Sequence, residues 1–297
     1  MMAIPGRSGQ EQAIADFSEA IALRPAALTY NNRGLSKSNL GRYEEAIDDY
    51  SEALELAPEM ANAYHNRAFA WDDLGEYDKA ISDYTLAIQL VPDDATYFHN
   101  RGYSWKNKGE FEKAINDFDE CLRIDPEYAV AYNNRGHAWL ALDDTDKALS
   151  DFGEAVRLNP EDGDSFTSRG ILWHDLDELD QAIADLDQGL KINPDDAAAH
   201  RYRGKCWHLK SDFLKAVKDY NEAVRLTPDD PFVYNERGLI WYQLGEYRKA
   251  IKDYTEALRL RPDDAVVYEN RGLAWEAQGD TDKADADFAK SKELAGE

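Results

Sequence analysis

The chain repeats a pattern every 34 residues, and this period constrains its fold more than any other feature of the sequence. Tryptophan keeps that spacing along the chain, at Trp71, Trp105, Trp139, Trp173, Trp207, Trp241 and Trp275. A proline recurs with the same step from Pro58 to Pro262, and an arginine from Arg33 to Arg271. Helical patterns separated by short breakers at this period are typical of an array in which stacked neighbours complete each other's core.

Each repeat reads as a helix A, a short turn and a helix B. In residues 61–94, Tyr64, Arg67 and Trp71 lie on one helical face, and Gly75 ends helix A because glycine accepts a left-handed backbone. Helix B follows and ends before Pro92. We therefore predict one continuous solenoid over residues 10–297, after an irregular segment at 1–9. Its parts are a half-repeat at 10–26 and repeats at 27–60, 61–94, 95–128, 129–162, 163–196, 197–230, 231–264 and 265–297.

The two ends of the predicted array differ in polarity. Residues 10–26 carry Ile14 and Ile21 at the spacing of a helix B, without a helix A to cover them. The last helix B has Asp285 and Lys292 where the earlier full repeats have Ile, Leu or Val. We expect a polar cap at the C-terminal end and an uncapped apolar helix at the N-terminal end.

Charge and cysteine content limit the partners and the compartment. The 34 basic and 59 acidic side chains give a net charge of −25, which repels nucleic-acid phosphate and anionic membranes. Cys121 and Cys206 stand where other repeats carry Ala or Ser, which predicts small buried side chains and no disulfide. No apolar run reaches spanning length, and the first residues lack the pattern of a signal peptide. We predict a cytoplasmic protein without nucleic-acid or membrane partners.

Two charged positions recur in every repeat on faces that otherwise carry core residues. Helix A has the arginine series from Arg33 to Arg271, and helix B has an aspartate series from Asp49 to Asp287. Because an unpaired buried charge is costly, we predict that the two series pair between helices A and B. The arginine lies four residues before the tryptophan, which predicts a cation–π contact between them. Arginines that line a groove and bind phosphate are the alternative.

The order of these residues resembles the tetratricopeptide repeat family. An aromatic residue, a small residue, tryptophan, Leu-Gly-x-Tyr, Ala, an aromatic residue, Ala and proline recur at its offsets over almost the whole chain. The resemblance implies an all-α, right-handed α-α superhelix that serves as a protein-interaction scaffold and not as an enzyme. It also implies that helix A lines a concave groove with positions 2, 5, 6, 9, 12 and 13 of each repeat.

The repeat pattern is broken locally. Asp143 and Asp177 replace the turn glycine, and Thr145 and Leu179 replace the aromatic residue after it, which predicts looser turns there. His200 takes a position that is aromatic in other repeats.

Position 6 of helix A carries an asparagine in five repeats: Asn32, Asn66, Asn100, Asn134 and Asn270. An asparagine amide both donates and accepts hydrogen bonds, so it can bracket a peptide backbone without reading its side chains. The series resembles the asparagine ladders of peptide-binding superhelical members of the family. Bracing of an adjacent helix within the scaffold is the alternative role.

Two groups of groove residues are candidate specificity sites. The first combines aromatic surface with a polar rim and comprises His65, Phe69, Asp72, His99, Tyr103, Lys106 and His137. The second lies where the asparagine series is broken and comprises Arg201, Tyr202, Lys205 and His208, with His174 and Tyr242 beside them. Because positive charge clusters in the second group, we predict that it binds an acidic or aromatic side chain of a partner.

The sequence favours groove binding of an extended or helical segment of a protein partner, without a cofactor. Self-assembly through the uncapped helix at 10–24 is the second hypothesis. A metal-dependent or catalytic groove is the third, based on His174 and His208 at equivalent positions, but no third ligand, phosphate loop or nucleophile motif accompanies them. The basic clamp that holds C-terminal carboxylates in some family members is not matched, and only Arg201 with Lys205 is similar to it.

Overall fold

A computed structural model describes residues 7–296, and within them every regular element is an α-helix. The helices form two compact units, of which the first ends at Leu158 and the second begins at Asn159. The all-α class predicted from the sequence is confirmed. None of the helices in this part of the chain combines the length and the apolar character that a membrane crossing needs.

The first unit contains nine of the described helices, which alternate as helix A and helix B after an initial helix B. Its helices are α1 (Arg7–Leu23), α2 (Ala27–Ser38), α3 (Tyr43–Leu56), α4 (Ala61–Asp73), α5 (Tyr77–Leu90), α6 (Ala95–Asn107), α7 (Phe111–Ile124), α8 (Ala129–Ala141) and α9 (Thr145–Leu158). Helix α1 begins at Arg7, inside the segment predicted to be irregular, and residues 1–6 lie outside the described part.

The second unit continues the same alternation. Its helices are α10 (Gly163–Asp175), α11 (Leu179–Ile192), α12 (Ala197–Leu209), α13 (Phe213–Leu226), α14 (Pro231–Gln243), α15 (Tyr247–Leu260), α16 (Ala265–Gln278) and α17 (Thr281–Ala295). Asp285 and Lys292, predicted to give α17 a polar outer face, are both exposed.

Within each unit the core is shared between repeats, because the buried side chains of a helix B pack against helix A of their own repeat and against helix A of the next. In the repeat 95–128, the Phe118 ring of α7 is fully buried against α6. A Cβ on Gly102 would come within 2.9 Å of that ring, so glycine lets the two helices approach closely. Cys121 and Cys206 are fully buried, as the sequence predicted, and both are free thiols.

The turns that lack glycine are not looser than the others. Gly75 has a φ of +74°, and Asp143, Asp177 and Ser211 adopt the same left-handed conformation with φ of 59°, 62° and 60°. The hydrogen bond that closes the turn is also unchanged. The backbone N–H five residues after the tryptophan donates to the tryptophan carbonyl at 2.8 to 2.9 Å in these three turns, as it does in the turn of Gly75. The prediction of looser turns was wrong, because aspartate and serine adopt this conformation at a local energetic cost instead of changing the turn.

The predicted arginine–aspartate pairing is confirmed in all eight repeats. In the repeat 61–94, Nε and Nη2 of Arg67 donate to the two carboxylate oxygens of Asp83 at 2.7 and 2.8 Å. Nη1 of Arg67 donates to Ser51 Oγ on the helix B before it, at 3.0 Å. One guanidinium therefore joins three helices. The other pairs are Arg33–Asp49, Arg101–Asp117, Arg135–Asp151, Arg169–Asp185, Arg203–Asp219, Arg237–Asp253 and Arg271–Asp287.

The predicted arginine–tryptophan contact was wrong. The Arg67 guanidinium lies 5.7 Å from the ring centre of Tyr64, one turn earlier on the same helix. Trp71 instead receives the ammonium group of Lys79 from helix B, at 4.3 Å. The aspartate holds the arginine towards helix B, which leaves the indole free for a lysine of that helix.

Candidate functional site

The helix A surface of the first unit carries two neighbouring cavities. The larger has a volume of about 460 Å³ and is lined mainly by α4, α6 and α8. The smaller has a volume of about 270 Å³ and is lined mainly by α2 and α4. Phe69 lines both cavities, so together they form one groove along the helix A surface.

Apolar side chains of the larger cavity are well exposed. Phe69 is 50% exposed, Tyr103 is 41% exposed and Val130 is 49% exposed. Isolated exposed apolar residues are ordinary, but these three line a single cavity. The surface therefore offers apolar contact area to a ligand.

A line of hydrogen bonds runs along this surface through residues at positions 5 and 6 of successive repeats and begins at a lysine at position 12. Nδ2 of Asn134 donates to Nε2 of His99 at 3.1 Å, and Nδ2 of Asn100 donates to Nε2 of His65 at 2.9 Å. We call the line the amide–imidazole chain. Its members are Lys106, Asn134, His99, Asn100, His65, Asn66, Asn31 and Asn32.

The donors of the amide–imidazole chain all point in one direction. Because Nε2 of His65 and of His99 accepts, Nδ1 of each ring carries the proton. It donates to Oδ1 of the next residue, at 3.3 Å for Asn66 and 3.0 Å for Asn100. Burial lowers the pKa of both imidazoles, which favours the neutral form that this pattern requires.

Lys106 stands at one end of the amide–imidazole chain. Its Nζ donates to Oδ1 of Asn134 at 2.7 Å and lies 4.7 Å from the ring centre of Tyr103. Burial lowers the pKa of this ammonium group. A positive charge at the donor end polarises the hydrogen bonds that follow it.

The asparagines of this chain keep hydrogen-bonding capacity for a ligand. An asparagine amide has two N–H donors and two acceptor lone pairs. The amide–imidazole chain uses one donor and one acceptor of Asn66 and of Asn100. Both side chains are partly exposed, so each can brace the scaffold and still present one N–H and one lone pair to a peptide.

One corner of the larger cavity is acidic. Ser104 Oγ lies 2.7 and 2.9 Å from the two carboxylate oxygens of Asp72 and donates to that group. Burial raises the pKa of Asp72 to about 6. The Tyr84 hydroxyl is buried and makes no hydrogen bond of standard geometry within residues 7–296. Burial raises the pKa of this phenol, and the nearby carboxylate of Asp72 raises it further. We call Asp72, Tyr84 and Ser104 the acidic corner.

Sequence reasoning missed one contact. The side chain at position 12 of helix A can face the buried aromatic residue of helix B in the same repeat. In two repeats a tyrosine hydroxyl faces a polar group at position 12, since Tyr50 Oη lies 3.3 Å from Ser38 Oγ and Tyr84 faces Asp72. Phenylalanine fills this place in other repeats, for example at Phe118. The tyrosines twelve residues after Ser38 and Asp72 were visible in the sequence.

In the second unit, the positive charges of the candidate residues Arg201 and Lys205 are partly neutralised by a carboxylate. Nε and Nη2 of Arg201 donate to both carboxylate oxygens of Glu236 at 2.7 and 2.8 Å, and Lys205 Nζ lies 3.3 Å from the same group. This ion pair takes the same step from position 5 to position 6 as the hydrogen bond from Asn270 Nδ2 to Asn235 Oδ1, at 3.0 Å. Sequence reasoning missed the partner because the step of 35 residues differs from the repeat period.

The other candidate residues fall into two sets. Tyr202 contacts both Lys205, 4.7 Å from its ring centre, and His174, 5.3 Å away in an edge arrangement. His208 and Tyr242 contact aromatic residues of helix B in their own repeats instead, at 6.0 and 5.4 Å. In the first unit, the ring of His137 packs edge-on against helix B of its own repeat at 5.0 Å. Within residues 7–296, no three His, Cys, Asp or Glu side chains cluster in a way that would hold a metal ion.

Family models match most of the chain. A model described as tetratricopeptide repeat matches residues 27–60, 61–94 and 129–162, and another with the same description matches 174–231. A model described as TPR repeat matches 106–143 and 238–279. The chain belongs to the tetratricopeptide repeat family. A tetratricopeptide repeat (TPR) protein typically acts as a non-catalytic scaffold for protein interaction. No curated protein sequence matches this TPR chain.

Solved structures share the TPR fold at low sequence identity. YrrB, described as a TPR protein with an unusual peptide-binding site, is 22% identical with a TM-score of 0.54, over 66% of this chain and 97% of its own. A TPR protein from Parabacteroides merdae is 20% identical with a TM-score of 0.60, over 89% and 99%. PilF of Pseudomonas aeruginosa is 21% identical with a TM-score of 0.61, over 74% and 94%. At these identities the likeness concerns the fold alone.

Proposed function

We propose that this TPR protein is a non-catalytic scaffold whose helix A surface in the first unit binds a peptide segment of a partner protein. The observation that carries the proposal is the larger cavity, where the exposed side chains of Phe69, Tyr103 and Val130 stand beside amides with unused hydrogen-bonding capacity. Apolar contact and polar contact from one groove are what peptide recognition requires.

The spacing of the asparagines suits an extended ligand. Neighbouring packed helices lie about 8–10 Å apart, and an extended chain rises about 3.3 Å per residue. Asn66 and Asn100 would therefore meet roughly every third residue of a peptide. Their amides would bond its backbone, while the cavity around Phe69 would select a side chain.

Proteins of similar fold are consistent with a peptide ligand. YrrB is described as having an unusual peptide-binding site. Cut9, at 17% identity and a TM-score of 0.60, was solved as a hetero-tetramer with Hcn1. Proteins with this fold thus bind peptides and other chains, which is the role proposed here. We also propose a cytoplasmic location, because the two cysteines are free thiols. We propose no nucleic-acid ligand, because a net charge of −25 repels phosphate.

The second unit offers a second candidate surface. Arg201, Tyr202 and Lys205 lie together there, but Glu236 already pairs with both cations. An acidic ligand group would have to share or replace that carboxylate. We therefore assign this surface a contact with an acidic or aromatic side chain that is secondary to the groove of the first unit.

Self-assembly is the alternative function. Leu23 in α1 is 82% exposed and Leu28 at the start of α2 is 62% exposed, so an apolar edge lies at this end of the first unit. Light scattering at increasing concentration separates the two functions. A mass that stays at one chain argues against assembly, whereas a dimer that Leu23→Glu dissociates would support it.

Selection from a displayed random peptide library, followed by mapping of the bound peptide by NMR, tests the peptide proposal. We expect selected peptides to shift resonances on the helix A surface of the first unit. Phe69→Ala, and separately Asn66→Ala combined with Asn100→Ala, should each weaken binding about tenfold or more. Gln181→Ala combined with Gln188→Ala removes two exposed helix B amides and serves as the matched control. Thermal unfolding of each variant shows whether the fold is intact.

Two results would overturn the proposal. One is the failure of any peptide to bind the wild-type protein. The other is binding that maps to helix B and is unchanged in the Phe69→Ala variant.

A further inference from the structure

We propose that the acidic corner of the larger cavity binds the cationic end of a lysine or arginine side chain from the bound peptide. This inference rests on the proposed peptide-binding function and names the chemistry of the side chain that the groove selects. The acidic corner comprises Asp72, Tyr84 and Ser104, with Phe69 and Tyr103 on the cavity wall nearby.

The carboxylate of Asp72 has no positive partner of its own among the described residues. Its hydrogen bonds come from a hydroxyl, Ser104 Oγ, at 2.7 and 2.9 Å. No basic side chain within residues 7–296 contributes to the environment that raises the pKa of Asp72, whereas the neighbouring Asp73 adds like charge. By contrast, every aspartate of the arginine–aspartate series is held by a guanidinium. A partly buried carboxylate without a cation attracts one from a ligand.

Tyr84 supplies a second polar group at the corner, beside Asp72. Its side chain is fully buried, lines the cavity, and has a hydroxyl without a hydrogen bond of standard geometry in the described part of the chain. The phenol oxygen can accept from an ammonium or guanidinium N–H while its own O–H faces Asp72. Buried polar groups normally have partners, and a ligand donor at this corner would engage the acceptor side of the phenol oxygen.

The cavity wall offers aromatic faces to a cation. Phe69 and Tyr103 are both exposed, and Tyr77 also lines the cavity. The ammonium group of Lys106 contacts the Tyr103 ring and donates to Asn134, so this lysine does not neutralise the acidic corner. An aliphatic stem would pack along the rings while its charged end reached Asp72.

Other ligands fit less well. An acidic side chain would be repelled by Asp72 and Asp73, and a metal ion lacks a third ligand among the residues that the structure describes. The net charge of −25 also favours a basic partner over an acidic one.

The experiment compares peptides that differ only in charge. Peptides selected on the wild-type protein are resynthesised with each lysine replaced by norleucine, which keeps the aliphatic stem, or each arginine by citrulline. We expect one such replacement to weaken binding about tenfold or more in the wild-type protein. In Asp72→Asn the affinity difference between the charged and the uncharged peptide should fall to about threefold or less. In Tyr84→Phe that difference should lie between the values of the wild type and of Asp72→Asn. Glu112→Gln, an exposed charge change on α7, should behave as the wild type.

Proton release provides a readout that a merely structural role would not produce. Because the pKa of Asp72 is raised to about 6, a bound cation should lower it and release about half a proton per peptide at pH 6. Calorimetry in buffers of different ionisation enthalpy measures this release. Near pH 8 the release should vanish, and in Asp72→Asn it should be absent at both pH values.

The outcomes distinguish this inference from the function on which it rests. If peptides bind the helix A surface but tolerate norleucine and citrulline without loss, the cationic inference is overturned and peptide binding stands. If charge matters equally in Asp72→Asn, the cation binds elsewhere and the assignment to the acidic corner is wrong. If no peptide binds the wild-type protein, both proposals fail together.

Discussion

Asn100 donates its amide N–H to Nε2 of His65 in the preceding repeat, at 2.9 Å. The bond fixes the proton of that imidazole on Nδ1, where it faces Asn66 at 3.3 Å. The same relationship joins Asn134 to His99 at 3.1 Å. Two histidines that the sequence offered as groove residues therefore act as couplers between repeats.

This relationship predicts how His65 and His99 titrate. Burial lowers the pKa of each from its ordinary value of 6.5. A protonated ring would turn Nε2 into a donor facing the N–H of an asparagine, which opposes protonation further. We expect NMR to show both rings as the Nδ1–H tautomer, with titration midpoints below 6.5, whereas a midpoint at or above 6.5 would contradict the amide–imidazole chain.

The same shifts predict a loss of stability in acid. Well above pH 6.5 the rings are neutral in both the folded and unfolded states, so their contribution is fully present. As the pH falls below 6.5, the unfolded chain binds protons first and the free energy of unfolding decreases. Asp72 acts in the opposite sense because its pKa is raised. Urea unfolding of the wild type and of His65→Gln combined with His99→Gln isolates the histidine part, which should be missing from the variant.

The arginine–aspartate pairs predict a large cost for removing one partner. Asp83 has a side chain 7% exposed and binds Arg67 through two hydrogen bonds. Asp83→Asn should lower the free energy of unfolding by about 3 kcal/mol, because it leaves a partly buried guanidinium without its counter-charge. Asp78→Asn is the matched control, since Asp78 pairs with Lys108 at the surface and its loss should change little. Equal effects of the two variants in urea unfolding would refute the structural role.

The non-glycine turns predict simple stabilising substitutions. Asp143, Asp177 and Ser211 hold left-handed backbone that glycine adopts without strain. Asp143→Gly and Ser211→Gly should each raise the free energy of unfolding by up to about 1 kcal/mol. The reverse change, Gly75→Asp, should lower it by a similar amount, since Gly75 has a φ of +74°. Thermal unfolding compares the variants, and destabilisation by the glycines would show that the side chains contribute more than the strain they impose.

The buried thiols predict slow chemistry. Burial raises the pKa of Cys121 to about 12 and that of Cys206 to about 11. Near pH 8 very little thiolate is present, and neither side chain is exposed. We expect an aromatic disulfide reagent to label the two residues only after unfolding in denaturant. Rapid labelling of the native protein at one thiol per chain would contradict the burial of that residue.

The fold was predictable because a repeat signal is summed over many copies. The arginine–aspartate pairs could be inferred since both series recur on core faces, which leaves them no other partner. The wrong prediction of an arginine–tryptophan contact used spacing within one helix, whereas the contact of Trp71 with Lys79 crosses to helix B. Spacing along one helix cannot show which of two nearby cations makes the cation–π contact with an aromatic ring.

The residues of the candidate site could be predicted from the sequence, but their hydrogen-bond partners could not. Asn66 and Asn100 stood out as a series, but their partners lie at position 5 of the preceding repeat, a step set by the register of packed helices. Arg201 stood out as a positive charge, and the same step hides its pairing with Glu236. Tyr84 occupies the recurring aromatic position of helix B, and the sequence does not show where its hydroxyl points.

Each guanidinium of the arginine–aspartate series makes its main ion pair within its own repeat. Arg67 contacts Asp83 within its own repeat and needs from the helix before it only a small acceptor, such as the Ser51 hydroxyl. Asp119 and Asn221 meet that need for Arg135 and Arg237. Because a hydroxyl, a carboxylate or an amide can serve as this acceptor, repeats of different sequence can follow one another. Gene duplication or splicing can therefore lengthen or shorten the array by whole repeats without a new type of contact between repeats.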